Sequence, residues 1–306
     1  MNNEYVLRVS IEEQGIYAVE RKDKQKFLYT YGMDLKDKTV IITGGSEGVG
    51  AEVARLFSVV GANLILVART KSNLETIALE LQDKACVEIV VMDISDADAC
   101  ADLFKRAEAK FDGVHVLINN AGCHHRGPVE SISPDDLGRM IDVNLKAPIM
   151  LCRQALPFIR KAGGGAIINV GSLAGRTPVP GAAAYSASKS GLRAFTFALA
   201  EELKDAKIKV ATVSPGPINT GFIMSNIDTV TDLTFSQPLC TPQEVAAEIL
   251  KLCSNEKRER SIPKISGWLT HITYLWPAIG RFIRPVLEKK GRRVKRALKA
   301  QLREKL

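Results

Sequence analysis

The chain has 306 residues, 46% of them hydrophobic and 25% charged, the make-up of a packed globular protein, which excludes a fibre or wholesale disorder. Its formal net charge is +8, but residues 281–306 hold eleven Lys and Arg against two acids, so the first 280 positions are close to neutral. That distribution argues against a basic nucleic-acid-binding body.

The first 30 residues carry Glu4, Glu12, Glu13, Glu20 and Asp23 and no apolar run, so no secretory signal is expected. Six scattered cysteines without a Cys-x-x-Cys pair predict a reducing, intracellular setting, no disulfide framework and no metal site. Residues 1–34 alternate apolar and polar positions (Tyr5, Leu7, Val9, Ile11; Ile16 to Val19; Phe27 to Tyr31), broken at Gly15 and at Arg21 to Lys24. The pattern predicts an N-terminal β-rich extension of two or three short strands.

Residues 35–260 read as the main domain. Short β-branched runs are predicted strands at 39–43, 64–68, 88–92, 116–119, 166–170 and 209–213. Helical stretches are predicted between them at 50–60, 71–82, 96–110, 135–161 and 184–204. Apolar strands with helical crossovers predict an α/β fold, a doubly wound parallel sheet with helices on both faces and its ligand crevice at the carboxyl ends of the strands. Residues 261–306 break this rhythm as an apolar and then basic C-terminal extension, and no run of about 18 apolar residues long enough to span a bilayer occurs.

Thr43-Gly44-Gly45-Ser46-Glu47-Gly48-Val49-Gly50 follows the first strand of the main domain and opens a helix. Glycines let the backbone approach a diphosphate, and the helix N-terminus offers it unpaired N–H groups. No Gly-Lys-Ser/Thr ending is present, which disfavours a nucleoside-triphosphate loop. At the end of the second strand, where an acid would bind an unphosphorylated ribose, stand Ala68 and Arg69. A guanidinium there suits a 2′-phosphate, so NADP(H) is favoured over NAD(H), although Glu47 beside the phosphate loop opposes it.

Tyr185 and Lys189 lie four residues apart on one helix face. A phenol with a reference pKa of about 10 needs a nearby cation to work near neutrality. Ser172, just beyond a predicted strand, can donate to the oxygen of a bound carbonyl or alcohol.

In this order the motifs resemble the short-chain dehydrogenase/reductase family over about residues 36–255. Thr43 to Gly50 is similar to its glycine loop, Asp93 with Ile94 to the segment after the third strand that contacts adenine, and Asn119-Asn120-Ala121-Gly122 to its Asn-Asn-Ala-Gly motif. Asn144, Ser172, Tyr185 and Lys189 match the catalytic set, and Pro215, Gly216, Ile218 and Thr220 the nicotinamide-side segment. The resemblance implies a Rossmann fold and a ketone–alcohol oxidoreductase. Tyr185 would exchange a proton with the substrate oxygen, Lys189 would lower its pKa and bind the nicotinamide ribose, and Ser172 would position the substrate. Asn144 would hold a water linking Lys189 to solvent. His124, His125 and Arg126 follow the Asn-Asn-Ala-Gly motif and read as solvated loop residues, with a substrate contact as the alternative.

Residues 217–239 resemble the family's substrate lid, and Phe222, Ile223, Met224, Ile227, Leu233 and Phe235 in it suggest a lipophilic substrate. The Ala68-Arg69 strand end, the apolar lid and the C-terminal extension are similar to 3-ketosphinganine reductases and membrane-associated hydroxysteroid dehydrogenases. Trp268 and Trp276 beside the basic segment suit peripheral attachment to an anionic membrane from the cytoplasmic side; a helix at a subunit interface and a solvated tail are the competing readings. The expected partners are therefore a lipophilic small molecule, an anionic membrane and further copies of the chain in a homo-oligomer, with no nucleic acid. The alternative function is a catalytically silent NADP(H)-binding regulator, against which the intact Ser172, Tyr185 and Lys189 argue.

Overall fold

Consecutive residues of a strand face opposite sides of a sheet, and the sequence Val40-Ile41-Ile42 is apolar on both. In a computed structural model describing residues 8–12, 16–20, 26–30, 33–225 and 227–303, both faces are covered. Val40 and Ile42 pack with Val53, Phe57, Ile249 and Leu250 on one side, and Ile41 with Leu103, Phe104, Leu151 and Cys152 on the other. Such two-sided burial demands the unbroken apolar strands seen in the sequence.

Three strands precede this core, β1 (Arg8–Glu12), β2 (Ile16–Glu20) and β3 (Lys26–Thr30), forming an antiparallel sheet in chain order. Tyr5, Leu7, Gly15, the Arg21 to Lys24 break and Tyr31 lie outside the described residues. The main sheet begins with β4 (Thr39–Thr43), α1 (Gly48–Val59), β5 (Asn63–Ala68), α2 (Lys71–Leu81) and β6 (Val87–Val91). It continues through α3 (Ala97–Phe111), β7 (Val116–Asn119), α4 (Pro134–Ile141), α5 (Ala147–Lys161), β8 (Gly165–Val170), α6 (Ala183–Glu202) and β9 (Ile208–Pro215). After β9 come α7 (Gly221–Met224), α8 (Pro242–Leu252) and β10 (Glu259–Ile262). All seven strands are parallel in the order β10-β9-β8-β7-β4-β5-β6. The chain reverses direction across the sheet between β4 and β7, which opens the ligand crevice beyond their carboxyl ends.

Two elements differ from the sequence reading. The helix predicted over 135–161 is interrupted by a π-helical turn at Asp142–Lys146, a local widening that commonly marks a functional site. Strand β10 is an addition. Its polar sequence Glu-Arg-Ser-Ile conceals it, because Glu259 is buried only through partners distant in the chain: Arg193 at 2.8 Å, Ser214 Oγ at 2.7 Å and Arg176 at 3.2 Å.

The last segment forms α9 (Lys264–Leu275) and α10 (Pro277–Arg303). Pro277 sets the break, since the residue before a proline is disfavoured in helical conformation and Trp276 is at φ −124°, ψ 79°. Helix α10 lies on the lid: Val294, Leu298 and Leu302 pack against Ile223, Ile227, Val230 and Phe235. Polar bonds fix its register. Lys295 Nζ donates to the carbonyls of Asp228 (3.0 Å) and Val230 (2.6 Å), Arg292 pairs with Asp232 at 3.1 Å, and Lys299 pairs with Asp228. Part of the basic segment is thus spent inside the molecule. Gly291 is required at the closest approach, where a Cβ would lie 1.8 Å from the Asp232 carbonyl oxygen. Gly291→Ala should therefore loosen α10 from the lid, seen as faster amide exchange over residues 227–236 with the exchange of β4, β7 and β8 unaltered.

Candidate active site

The glycine loop turns directly out of β4. Gly44 has φ +65°, and a Cβ on Gly50 would lie 2.0 Å from the Gly44 carbonyl oxygen, so neither position accepts a side chain without displacement. Thr43 is fully buried behind the loop. Its Oγ1 donates to the Ile118 carbonyl at 3.3 Å and accepts from the N–H groups of Asn120 and Ala121 at 3.0 and 3.1 Å, tying this loop to the one after β7. Asn120 Nδ2 completes the tie by donating to the carbonyls of Thr43 and Gly44. Thr43 and Gly50 thus shape the loop, whereas Gly44, Ser46, Glu47, Gly48 and Val49 line the cavity. The N-terminus of α1 has no side-chain cap, since Glu47 makes no capping bond, and no acid stands in its first turn. Free N–H groups at a helix N-terminus beside a glycine cradle fit a diphosphate.

The cavity measures about 1310 Å³ and runs along the carboxyl ends of the strands. Arg69 lines it, exposed at the end of β5, as do Asp93, Ile94, Asn120, Ala121, Gly122, Pro215, Gly216, Ile218 and Thr220. Asp93 already has partners: Ser95 donates to it from N–H (2.9 Å) and Oγ (2.8 Å), and Arg139 pairs with its other oxygen. Partial burial opposes ionisation, but the Ser95 bonds and Arg139 outweigh it and hold the Asp93 pKa down at about 2. Arg139, on α4, had no sequence signal because its role depends on where the π-turn places α4.

Tyr185 and Lys189 sit one turn apart near the start of α6, as their spacing requires. The Lys189 ammonium is 4% exposed and donates to the Val170 carbonyl at 2.8 Å. Burial, only slightly countered by Cys123, pushes its pKa down to about 8. For Tyr185, burial raises the pKa, against a lowering by the Ser172 side-chain bond and the charge of Arg126. Ser172 Oγ accepts from Ala174 N–H at 3.1 Å, which leaves its own hydrogen for the phenol or a substrate oxygen.

Asn144 is fully buried in the π-turn. Its Oδ1 accepts from Cys123 N–H and its Nδ2 donates to the Cys123 carbonyl, both at 2.8 Å, while Nδ2 also reaches Ser188 Oγ at 3.2 Å. Its direct partners are therefore the loop after β7 and α6. A Cβ on Gly122 would lie 3.1 Å from Asn144 Oδ1 and 3.7 Å from Lys189 Nζ, so both groups converge on that glycine.

The residues after this motif are not all solvated. His124 stacks on Tyr185, with ring centroids 4.0 Å apart and planes 12° from parallel. Burial, then Arg126, His125 and Lys189, keep the imidazole neutral with a pKa down at about 3. Arg126 donates to the Phe222 carbonyl of α7 at 3.1 Å and lies over the Phe222 ring. His125 alone behaves as a surface group, 3.4 Å from Asp136. From the far side Leu269, Tyr274, Ile283 and Leu287 of α9 and α10 complete the wall, a contribution that no local motif announces.

A glycine loop with an uncapped helix end lines one cavity with Ser172, Tyr185 and Lys189, and Asn144 is buried behind Gly122. The family model for short chain dehydrogenases matches residues 38–230. An uncharacterized oxidoreductase of Staphylococcus saprophyticus is 34% identical over 233 residues, 75% of this chain and 94% of that protein. Dehydrogenase/reductase SDR family member 7B of Bos taurus is 32% identical over 74% of this chain and 73% of its own length. Among solved structures, a metagenomic short-chain oxidoreductase in complex with NADP has a TM-score of 0.63 and 31% identity, covering 75% of this chain and 98% of that one. A putative short-chain alcohol dehydrogenase from Sinorhizobium meliloti has a TM-score of 0.66 and 27% identity, covering 72% and 90%. The chain belongs to the short-chain dehydrogenase family. It is an oxidoreductase of a family that uses a nicotinamide cofactor.

The buried Lys189 yields a stability prediction. Its folded pKa lies below the ordinary value of 10.5, so the unfolded chain binds the proton more tightly, and the burial penalty is full below about pH 8 and relieved toward 10.5. Lys189→Met should abolish turnover yet raise the melting temperature at pH 7 by about 2–4 °C or more, the span that roughly 1 kcal/mol moves in a body of this size. Calorimetry of both proteins should show the gain shrinking as the pH approaches 10.

Proposed function

We propose that the protein is an NADP(H)-dependent reductase that interconverts a ketone and a secondary alcohol on a hydrophobic substrate. The observation that carries this reading is the convergence of Ser172, Tyr185 and Lys189 on one cavity that also holds the glycine cradle, Arg69 and an apolar lid. When bound, the nicotinamide supplies the hydride. Tyr185, kept protonated through neutral pH by burial, gives its proton to the substrate oxygen, and Ser172 Oγ–H donates to the same oxygen. The resulting phenolate is stabilised by the ammonium of Lys189 and the nearby charge of Arg126, which favours the transfer. Arg69, exposed and facing the cavity, supports a 2′-phosphate contact.

The reading extends to delivery from an anionic membrane surface. Trp268 is 74% and Phe282 85% exposed, with Ile265, Leu275, Trp276 and Val286 exposed beside them. Large exposed apolar side chains concentrated on one pair of packed helices suit an interaction surface. Lys289, Lys290, Arg293 and Arg296 of α10 are exposed too, each contributing about 1 kcal/mol near anionic lipid. No helix among the described residues is long and apolar enough to cross a membrane, so the attachment is peripheral. Because α9 and α10 also line the cavity, the lipid-facing surface and the substrate wall belong to the same two helices.

With a panel of lipophilic ketones and NADPH, Tyr185→Phe should lower kcat by about 10²–10⁴-fold while cofactor binding persists. Cofactor binding without turnover on any ketone in the wild type would favour the regulator reading. Arg69→Ala should weaken NADPH by about tenfold or more and leave NADH nearly unaffected; equal losses would remove the 2′-phosphate assignment. Replacing Trp268, Trp276 and Phe282 together with Ser should release the protein from phosphatidylserine vesicles in co-sedimentation without lowering its melting temperature. Undiminished vesicle binding would exclude these residues as the lipid-facing surface.

A further inference from the structure

Arg126 is half-buried in the wall of the substrate end of the cavity. Its guanidinium has five N–H donors, and the polar contact made by its Nη2 is to the Phe222 carbonyl. Among the described residues no carboxylate pairs with it. A guanidinium withdrawn from water without a counter-ion is costly, and a ligand that supplies the charge relieves the cost. The other arginines that line the cavity differ. Arg176 is already paired with Glu259, Arg139 with Asp93 and Arg284 with Glu288, while Arg69 and Arg281 stand exposed to water.

A second observation falls at the same place. His124 Nε2 is buried and has no hydrogen-bond partner among the described residues, although the ring is held flat against Tyr185. A buried ring nitrogen without a protein partner is a position that a ligand group or a water can satisfy. The neutral ring adds a hydrogen bond without adding charge, and both side chains lie against Phe222.

We propose that Arg126 and His124 form a carboxylate-recognition subsite beside Tyr185, so that the substrate is an amphipathic keto acid. The anionic group lies within a few carbons of the reacting carbonyl, because His124 is in contact with the ring that protonates that carbonyl. The alkyl part runs past Ile223 and Leu233 of the lid toward Ile283 and Leu287 of α10. This inference rests on the ketone-reductase reading and narrows its substrate class.

The test compares 2-, 3- and 4-oxododecanoates with their methyl esters, using NADPH and the full-length protein. The wild type should prefer at least one acid over its ester by about tenfold or more in kcat/KM, the scale of a charge-assisted hydrogen bond. Arg126→Gln should bring that ratio to about one through KM, and Arg126→Lys should restore part of it. Esters turned over as well as all three acids, or a ratio unchanged in Arg126→Gln, would overturn the subsite. A binding arm needs no turnover: dodecanoate and 1-dodecanol are titrated into the NADPH-loaded protein and followed by cofactor fluorescence. Tighter dodecanoate binding that Arg126→Gln loses supports the subsite even if no ketone is reduced, in which case only the reductase reading fails. Equal binding of the two probes overturns the subsite itself.

Discussion

The two hydrogen bonds between the Asn144 amide and the backbone of Cys123 are the constraint on which the rest of the cleft depends. They satisfy a backbone N–H and C=O in a loop that has no strand partner there and draw that loop onto the π-turn, which a third bond from the same amide to Ser188 Oγ ties to α6. Side chains from a regular α-helix point back toward the preceding turn; the π-turn at 142–146 gives Asn144 a different placement. Cys123 held in this way sets where Gly122, His124 and Arg126 fall, and so where Tyr185 finds its stacking partner. A single amide thereby couples helix geometry to the end of the cavity beside Tyr185.

The electrostatics follow from how little counter-charge accompanies the cations. Lys189 is buried against a carbonyl, and Arg126 against a carbonyl and a ring. Neither is neutralised by an acid, so each keeps its influence for a charge that forms or arrives in the cleft. Asp93 and Glu259, by contrast, are paired, the first with Arg139 and the second with Arg176 and Arg193. Ion-paired arginines and cations without a carboxylate partner thus occur along one groove, which also holds Glu47 beside the glycine loop.

Much of this was legible in the chain. The parallel sheet and its order of strands and helices follow from apolar runs of strand length alternating with helical stretches, and Tyr185, Lys189 and the glycine loop follow from local spacing. What stayed hidden depends on distance in sequence. Strand β10 is polar because its side chains meet Arg176, Arg193 and Ser214. Arg139 and His124 acquire roles from the elements they land against. Residues 264–303 look like an appendage by composition, yet the groups on the lid that bind Arg292, Lys295 and Lys299 lie some 60–70 positions earlier. Periodicity reports which face of an element is buried, and it is silent on what buries it.

The clasp between α10 and the lid has a consequence for how the molecule is assembled. The apolar lid side chains Ile223, Ile227, Val230 and Phe235 gain their cover only from a helix that follows β10 and α9 in the chain. Contacts of that separation close a loop some 60–70 residues long, as the β4–β7 pairing closes one of 76, so the clasp carries a loop-closure cost that purely local contacts avoid. The cover over the lid therefore cannot be in place until residues 292–302 have been made, whereas every strand of the described main sheet lies before Pro263. The scaffold and the cover over the lid are supplied by successive stretches of one polypeptide.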